Sequence, residues 1–600
     1  MFVINDMWGS SEKLQELKLS LRKPEIAMHI ELAGKSLKLV MLAIALLVFS
    51  QGSHAQVPFG SGQFQAPIGG GTFQQIPPAP APQRPLPEIK IEQGGAPAIP
   101  AADQVRVRVN SLRVTGQTVY PEDQLLALTG FKPGSDLSLV DLRQMATIIS
   151  GYYHAKGYFV AQAYLPPQDI KNGTVTIAVL EGRYGKITLN NQAKISDSLV
   201  NGLLAGLNSG DIIMIAPLEE RLLLLADVPG VLVRSNLTPG AAVGTSDLTV
   251  ELTPARSVRG SVEADNAGNR YTGANRIGGT VNLINPTGHG DVLSLRVLTS
   301  GEGLKYARAS YQAQVGRATV GAAYSWLDYR LGKEFSSLQA HGTAEIASVF
   351  ASYPLIRSRN NNLYAMIDFN AKTFQDKIDS TSPPSVVDKK ANVLYASLYG
   401  DHRDGFGGGG FSTYSLTLGL GDIDIRTPFA LAADQAGPRS NGNFGKLGFF
   451  ASRLQNLSGP FSLYGSIRGQ FASKNLDISE KMGLGGMYAV RAYPEGEAYA
   501  DEGYVATLEA RMLLPKVWQA MPGRMHLIGF VDTGSVTLHK NPWVAGQNHR
   551  TLSGAGIGLT WEDYNNFAVR AYWAHKLGDA MATSAPDKSG RFWIQGIKYF

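Results

Sequence analysis

From about residue 256 to the end of the chain, apolar and polar side chains alternate with a period of two. Between Ala307 and Val315 small or aromatic apolar residues alternate with polar ones, and the segment after Gly316 repeats the pattern. Such alternation indicates β-strands whose two faces meet different solvents. A soluble sandwich or propeller is the alternative, but its outer face is charged. Here the apolar faces carry Ala, Val, Leu and Gly, with aromatic residues towards the ends, as lipid contact requires.

These segments predict a transmembrane antiparallel β-barrel over residues 255–600. Backbone groups in lipid have no water to pair with, so membrane-spanning strands must close into a barrel without free edges. At roughly 21 residues for each strand with its connection, the stretch holds about 14 to 18 strands, and single-chain bacterial barrels have an even number. We therefore expect about 16 strands.

The N-terminal region 1–55 has the features of a secretory signal with a long basic segment. Two lysines precede the apolar run 39–49, and small residues at 53 and 55 frame a cleavage site. A membrane anchor is the alternative, but a spanning helix needs ~20 apolar residues. The true start is either Met1 or Met28. Export from the cytoplasm follows from this interpretation.

Residues 56–104 are predicted to be a Pro/Gly-rich periplasmic linker, extended and without amphipathic helix periodicity. After it, the order strand–helix–helix–strand–strand occurs twice, over 105–183 and over 184–254. Helices are expected near 120–130 and 137–157 in the first copy. Two α+β domains thus precede the barrel.

Composition and motifs exclude several function classes. The chain has no Cys, only 17% charged residues and a net charge of +6, without long runs of like charge. Nucleic-acid binding is therefore not expected. We find no pattern of a metal site, a nucleotide-binding loop or a catalytic nucleophile, and the glycine run 554–558 lies within a predicted strand. Neither a cofactor, a metal nor an enzymatic activity is predicted.

A long segment between two predicted strands, residues 484–503, carries the compact centre Val490–Pro494. Connections of this length are functional or disordered. About 40 residues later, the strand around Gly529–Gly534 places Asp532 on the face opposite to its apolar residues, which we interpret as the lumen. We hypothesise that the segment folds back into the barrel and that Arg491 pairs with Asp532, because a bidentate guanidinium–carboxylate pair is directional. Two solvated charges are the alternative.

At this point the chain resembles the two-partner secretion outer-membrane transporters of the haemolysin-activator and filamentous-haemagglutinin-exporter type. The resemblance implies a 16-stranded barrel whose sixth extracellular loop, the lid loop, threads the lumen and is anchored by Arg491 and Asp532. The lid-loop motif corresponds to Val490, Arg491, Ala492 and Tyr493, and its partner strand contributes Phe530, Asp532 and Gly534. Ala492 replaces the Gly that is usual in this motif. The short plug helix of many members has no counterpart in the pattern of 56–104.

In the first α+β copy, the segments 151–158, 163–168 and 181–183 are similar to the first POTRA domain of the same family. The resemblance implies that the POTRA domains capture unfolded cargo, which we expect to add to their exposed edge strands. The candidate cargo-binding residues are Tyr158, Tyr164, Pro167 and Gln168. It also implies four partners: a large secreted exoprotein as cargo, outer-membrane lipid, the barrel assembly machinery and periplasmic chaperones.

We therefore expect an outer-membrane translocator that exports a large adhesin- or haemolysin-like exoprotein, with its POTRA domains in the periplasm. Without a nucleotide site, transport must use binding and folding energy. An assembly factor that inserts other barrels is the main alternative, and a passive porin is a third. The sequence does not identify the cargo.

Overall fold

A computed structural model describes residues 69–77, 79–80, 88–91 and 106–600. The predicted signal segment 1–55 lies outside the described residues. The residues described before the first domain form helix α1 (Gly69–Gln74) and strand β1 (Glu88–Ile91).

The first α+β domain contains two helices, α2 (Glu122–Thr129) and α3 (Leu139–Ala155). Helix α3 begins where Ser138 and Asp141 cap each other reciprocally, and its buried residues recur at helical spacing. Gly157, with a φ of +93°, follows its end. The strands are β2 (Arg106–Val109), β3 (Ser111–Thr115), β4 (Ser135–Ser138), β5 (Gln162–Tyr164) and β6 (Thr174–Leu180). The helices pack on a sheet of order β3-β6-β5, and β2 pairs with β4.

The second α+β domain has the order strand–helix–helix–strand–strand and encloses a core rich in leucine and valine. The elements are β7 (Arg183–Asn191), α4 (Asp197–Leu204), α5 (Ile215–Asp227), β8 (Val231–Pro239) and β9 (Thr245–Pro254). The sheet has the order β1-β8-β9-β7, so that strand β1 lies parallel to β8 at one edge.

Sixteen antiparallel strands then form a closed barrel, which confirms the predicted fold class. The first strand closes the barrel by pairing Ser261–Asp265 with Gln595–Tyr599 of the last. The strands are β10 (Val258–Asp265), β11 (Arg276–Ile284), β12 (Val292–Thr299), β13 (Leu304–Val315), β14 (Ala318–Arg330), β15 (Ala340–Arg357), β16 (Asn361–Ile378), β17 (Ser385–Asp404), β18 (Gly410–Ile425), β19 (Gly442–Asn456), β20 (Phe461–Ala472), β23 (Glu502–Leu513), β24 (Arg524–Thr537), β25 (His549–Asp563), β26 (Phe567–Leu577) and β27 (Gly590–Tyr599).

The outer surface of the barrel is apolar, as the alternation predicts. Large hydrophobic side chains stand exposed on it, among them Leu394, Leu398, Leu416, Leu418, Leu420, Ile557 and Ile594. In an aqueous protein so much exposed apolar surface is unfavourable, whereas in a membrane it contacts hydrocarbon. Among the described residues, no helix is long and apolar enough to span a membrane.

Short turns at one end of the barrel contact the second α+β domain. Arg357 pairs with Asp227 through bonds of 2.6 and 2.9 Å, and Arg317 pairs with Glu220 at 2.9 Å. Both acidic residues belong to α5. This end is therefore the periplasmic one, and the long connections lie at the extracellular end. One of them carries helix α6 (Pro428–Ala436).

The connection between β20 and β23, residues 473–501, turns into the lumen. It contains a single 3-10 turn (Ile478–Glu480) and a small hairpin of strands β21 (Met482–Gly483) and β22 (Tyr499–Ala500). We call residues 473–501 the lid loop and the 3-10 turn its stem turn. The predicted loop 484–503 covers most of this segment.

Helix α1 also lies in the barrel lumen, beside the stem turn. This differs from the predicted extended periplasmic linker over 56–104. Six residues with three consecutive glycines have no amphipathic periodicity that sequence analysis detects. The helix forms because Gly70 and Gly71 fit closely against Ser479 and Ile478, where a Cβ atom would lie 2.6 to 3.0 Å from the nearest side-chain atoms.

Candidate functional site: the lid loop in the barrel lumen

The tip of the lid loop is packed into the lumen rather than exposed to solvent. Val490, Ala492 and Tyr493 are fully buried, together with Leu484 at the base of the tip. They pack against Phe530 and other inward side chains of β23–β26. The apolar character of the motif centre is thus explained by its burial.

Arg491 and Asp532 are in direct contact in the structure. The guanidinium donates two hydrogen bonds of 2.8 Å from Nε and Nη2 to the two carboxylate oxygens of Asp532. The backbone N–H of Arg491 donates a third, at 3.1 Å, to the same carboxylate. Asp532 is 0% exposed, because alternate residues of β24 face the lumen under the lid. The bidentate geometry fixes the orientation of the tip as well as its position.

A second carboxylate, Glu509 of β23, accepts a 2.8 Å bond from Nη1 of Arg491. Its other oxygen accepts bonds from Arg511 at 2.7 and 2.9 Å. Thr507 adds a hydroxyl bond to Asp532 at 2.9 Å. Two guanidinium groups and two carboxylates therefore alternate in a chain, so that each buried charge has a partner of opposite sign, as burial demands.

Aromatic rings complete the seat of Arg491. The guanidinium carbon lies 3.5 Å from the centre of the Phe530 ring and 5.0 Å from that of Tyr572, within the range of cation–π attraction. The indole N–H of Trp593 donates a 2.7 Å bond to the backbone carbonyl of Arg491. The side chain and backbone of this residue are both held.

Glycines of the barrel wall make room for the lid. A Cβ atom on Gly554 would lie 2.4 Å from the Cβ of Ala492, and one on Gly534 would lie 2.5 Å from Leu484. The alanine in the motif does not prevent docking, since Ala492 is not among the residues with a positive φ. The glycine run 554–558 lies in a barrel strand, as expected, but Gly554 also belongs to the seat of the lid tip.

Helix α1 and the residues after it occupy another part of the lumen. Barrel arginines hold the backbone: Arg276 donates to the carbonyl of Gln75 at 3.0 Å and Arg296 to that of Pro77 at 2.7 Å. The Phe73 ring packs edge-on against Tyr306 at 5.9 Å. Among the described residues, both the lid loop and the N-terminal segment 69–77 therefore lie in the lumen.

Sequence analysis did not identify Glu509, Trp593 or Gly554 as parts of the lid seat. Each lies within the predicted barrel region 255–600, and its role depends on a contact between distant parts of the chain. Glu509 could have been identified from the face of the strand on which it lies, which is the lumen face. An acidic residue on this face is a natural second partner for a predicted buried arginine.

The POTRA cargo candidates divide into two pairs. Tyr164 and Pro167 are exposed at the surface of the first domain. Tyr158 packs edge-on against Tyr153 at 5.8 Å. The Gln168 amide donates to the carbonyl of Thr176 at 2.7 Å and accepts from its N–H at 2.8 Å. Tyr158 and Gln168 therefore have contacts that stabilise the domain itself.

The edges of the first domain's sheet are partly closed by side chains. On β5, the Ser150 hydroxyl accepts a 2.8 Å bond from the N–H of Ala163. On β3, Glu122 accepts a 2.9 Å bond from the N–H of Val114. This differs from the expectation of exposed edge strands, and the reason is that helix side chains satisfy these outward backbone groups. In the second domain, strand β1 covers the edge of β8.

Glu181, in the motif 181–183, links strand and helix within the first domain. It accepts bonds from the backbone N–H groups of Thr118 and Val119, at 2.6 and 2.8 Å, and from the Tyr153 hydroxyl at 3.0 Å. Burial alone raises the pKa of this carboxyl, but the hydrogen bonds outweigh it and the pKa of Glu181 is lowered. Among the described residues, no cluster of His, Asp and Glu has the arrangement of a metal site.

Comparison with known proteins shows the family. The family model of the haemolysin secretion/activation proteins ShlB, FhaC and HecB matches residues 244–561, and the ShlB-type POTRA domain matches residues 107–182. The chain belongs to this family. The predicted membership is confirmed, and with it the general function: the protein is an outer-membrane transporter of the two-partner secretion type, with POTRA domains in the periplasm. The family consists of transporters rather than enzymes.

Individual relatives agree with this assignment. The heme/hemopexin transporter protein HuxB of Haemophilus influenzae is 32% identical over 493 residues, which cover 80% of this chain and 84% of HuxB. The outer membrane transporter CdiB of Dickeya dadantii (strain 3937) is 25% identical over 465 residues, 75% of this chain and 80% of CdiB. Among solved structures, CdiB from Escherichia coli has a TM-score of 0.63 at 19% identity, covering 85% of this chain and 93% of its own, which supports the fold.

Proposed function

We propose that the protein captures an unfolded exoprotein in the periplasm, passes it through the barrel lumen and is closed at rest by the lid loop. The observation that carries the proposal is the buried contact of Arg491 with Asp532 and Glu509 inside a barrel preceded by two α+β domains. Each buried charge that holds the lid tip has a partner of opposite sign. The closed lid is therefore a well-defined state, and cargo must displace the lid in order to pass. We assign no catalytic step, cofactor or metal to this process.

Capture by strand addition is best supported at the edge of β8. Residues 88–91 already lie there as a parallel strand, which demonstrates that the edge accepts an extended segment. The edges of the first domain are instead partly closed by side chains. In strand addition, main-chain hydrogen bonds provide affinity for many sequences, which suits an unfolded cargo. A cargo strand on β8 displaces β1, while Tyr164 and Pro167 offer additional exposed contacts.

Displacement of β1 also acts on the lumen, because the same segment of chain continues to helix α1. Ten residues lie between Pro77 and Glu88, so eleven Cα–Cα steps join them and span at most about 40 Å when fully extended. Pairing of β1 with β8 therefore limits how far residues 69–77 can move. When cargo displaces β1 from β8, residues 69–77 are able to leave the lumen.

The protein also interacts with outer-membrane lipid through its apolar belt, and it depends on the barrel assembly machinery and periplasmic chaperones for its own insertion. Export without a nucleotide relies on cargo binding on one side and cargo folding on the other. The cargo is a large exoprotein. Deletion of the gene identifies it as the polypeptide that disappears from the culture supernatant.

Replacement of Arg491 by Ala tests the proposal. We expect secretion of the exoprotein to be abolished while the barrel is still assembled, as shown by its heat-modifiable mobility on gels. Arg453→Ala is a matched control, because Arg453 forms an equally bidentate pair with Asp404, at 2.8 and 2.9 Å, away from the lid. Unchanged secretion by the Arg491→Ala protein refutes the role of the lid seat. Defective assembly of other barrels, with normal secretion, supports the alternative function as an insertase.

A further inference from the structure

A second group of buried charges holds the lid loop, at its stem rather than its tip. The carboxylate of Glu480, in the stem turn, accepts a 2.6 Å bond from Lys372 and lies 2.8 Å from the amine of Lys446. The Tyr395 hydroxyl donates to the same carboxylate at 2.8 Å. Glu480 is 0% exposed. These three partners belong to β16, β17 and β19, whereas the carboxylates that bind Arg491 belong to β23 and β24.

Neighbouring contacts strengthen this attachment. Asp477, directly before the stem turn, pairs with Lys389 at 2.9 Å. Lys446 also donates to the backbone carbonyl of Glu480 at 3.0 Å. Both Lys372 and Lys446 lie 5.5 to 5.6 Å from the centre of the Tyr395 ring. Two carboxylates of the loop are thus bound by lysines from the wall, the reverse of the polarity at the tip, where an arginine of the loop is bound by carboxylates of the wall.

The stem turn is also the surface on which helix α1 rests. The Gln74 amide donates to the carbonyl of Ile478 at 2.9 Å. The glycines at 70 and 71 bring the helix so close to Ser479 and Ile478 that a Cβ atom would overlap them. The Gln75 amide donates to the Tyr499 hydroxyl in the lid hairpin. The position of α1 therefore depends on the position of the stem turn.

We propose that Glu480 is a positioning residue for the closed state: bound by Lys372 and Lys446, it fixes the stem turn as the seat of helix α1. The lid loop then has two separate tasks. Its tip, through Arg491, closes one part of the lumen, and its stem, through Glu480, retains the N-terminal segment. Loss of either attachment releases a different part of the closure. The inference rests on the proposed function only in treating the described arrangement as the resting state.

A cysteine reporter tests this, since the natural chain contains no Cys. Thr72 of α1 is 1% exposed, so a cysteine at this position reacts with a membrane-impermeant maleimide only when α1 leaves its seat. In the Thr72→Cys protein, the additional substitution Glu480→Gln keeps the size of the side chain and removes its charge. We expect the cysteine at position 72 to be labelled at least about tenfold faster, which corresponds to a change of ~1.4 kcal/mol in the free energy of releasing α1. Glu334→Gln, which removes an exposed partner of Arg270, serves as the control and leaves the rate unchanged.

A second reporter separates this role from general loosening of the barrel. A cysteine at Ala489, beside the Arg491 anchor, should label at the same rate with and without Glu480→Gln. If the Glu480→Gln protein fails to fold, Lys372→Gln removes only one partner and should accelerate labelling at Thr72→Cys to a smaller extent. Equal rates at Thr72→Cys in the Glu480→Gln and control proteins overturn the proposal, as does an equal rise at both reporters. Labelling is measured without exoprotein, so a negative result leaves the test of export by Arg491→Ala unaffected.

Discussion

The energy that holds the lid tip is measurable through a double-mutant cycle on Arg491 and Asp532. Arg491→Ala leaves the buried carboxylate of Asp532 without its cation, while Glu509 keeps Arg511. Asp532→Ala leaves the guanidinium of Arg491 with one carboxylate partner in place of two. Removal of one member of a buried pair costs ~3–5 kcal/mol. Each single substitution should therefore shift the equilibrium from docked to undocked lid by roughly a hundredfold to several thousandfold.

The double variant should cost little more than either single one, because the second substitution removes a group whose partner is already absent. The coupling energy between the two positions should then be ~3 kcal/mol, at the upper end of the range for residues in contact. The assay is the labelling rate of a cysteine at Ala489, which is buried at the tip and reacts only from the undocked lid. Additive effects of the two substitutions refute the reasoning, since they mean that the two side chains do not interact.

Three further predictions concern the lid seat, the first POTRA domain and its neighbour. Gly554→Leu introduces a side chain that overlaps the lid tip, and this overpacking should destabilise the docked lid by ~1–3 kcal/mol. Gly529→Ala should leave the labelling rate of the cysteine at Ala489 unchanged, because nothing lies within 4 Å of the added Cβ. Glu181→Gln should remove part of the acid sensitivity of the first domain, measured by hydrogen exchange. Asp227→Ala deprives Arg357 of its bidentate partner and should broaden the distances between the second domain and the barrel in spin-label measurements.

The sign of the acid effect follows from the direction of the pKa shift. The folded-state pKa of Glu181 lies below its unfolded value of about 4.3. Its stabilisation is therefore present above the unfolded pKa and is lost as the pH falls through the folded pKa. Asp169→Asn, at an exposed position of the same domain, is the control. If both variants lose protection along the same curve as the natural protein, the hydrogen-bonded carboxylate does not stabilise the domain.

The controls for the other two predictions use the chain's own geometry. For the contact between the second domain and the barrel, the control is the double variant Asp227→Arg/Arg357→Asp, which exchanges the two charges. If the ion pair positions the second domain, this variant should restore narrow distance distributions. Broad distributions in the exchanged protein, with normal folding, contradict this. For the lid seat, equal labelling of the Gly554→Leu and Gly529→Ala proteins shows that the tip does not need the space at Gly554.

The barrel was predictable because its signal is local and repeated. Each strand carries its own period-two alternation, and each is long enough to be recognised without knowledge of its neighbours. Helix α3 was predictable for a similar reason, since its cap at Ser138 and its buried face lie within one short segment. The contact of Arg491 with Asp532 was predictable because the lid-loop motif and the alternation of β24 both indicated that these side chains lie in the lumen.

The rest depends on contacts between distant segments. Helix α1 has no periodicity of its own and takes its form from the surface of the stem turn. Glu480 is an unremarkable acidic residue in the sequence, and its three partners come from three strands that are remote along the chain. The pairing of β1 with β8 likewise requires knowledge of which sheet edge is open. Sequence patterns report which face a residue occupies, but not what another part of the chain brings to that face.

The central claim, that the exoprotein passes through the lumen past the lid, is tested most directly by a photoreactive amino acid at Tyr488. This residue lies on the lid loop next to Arg491, and its hydroxyl accepts a 2.8 Å bond from Gln595 of the barrel wall. Irradiation of cells during secretion should produce a covalent adduct between the transporter and the exoprotein. Continued secretion by a functional variant with no such adduct contradicts the account.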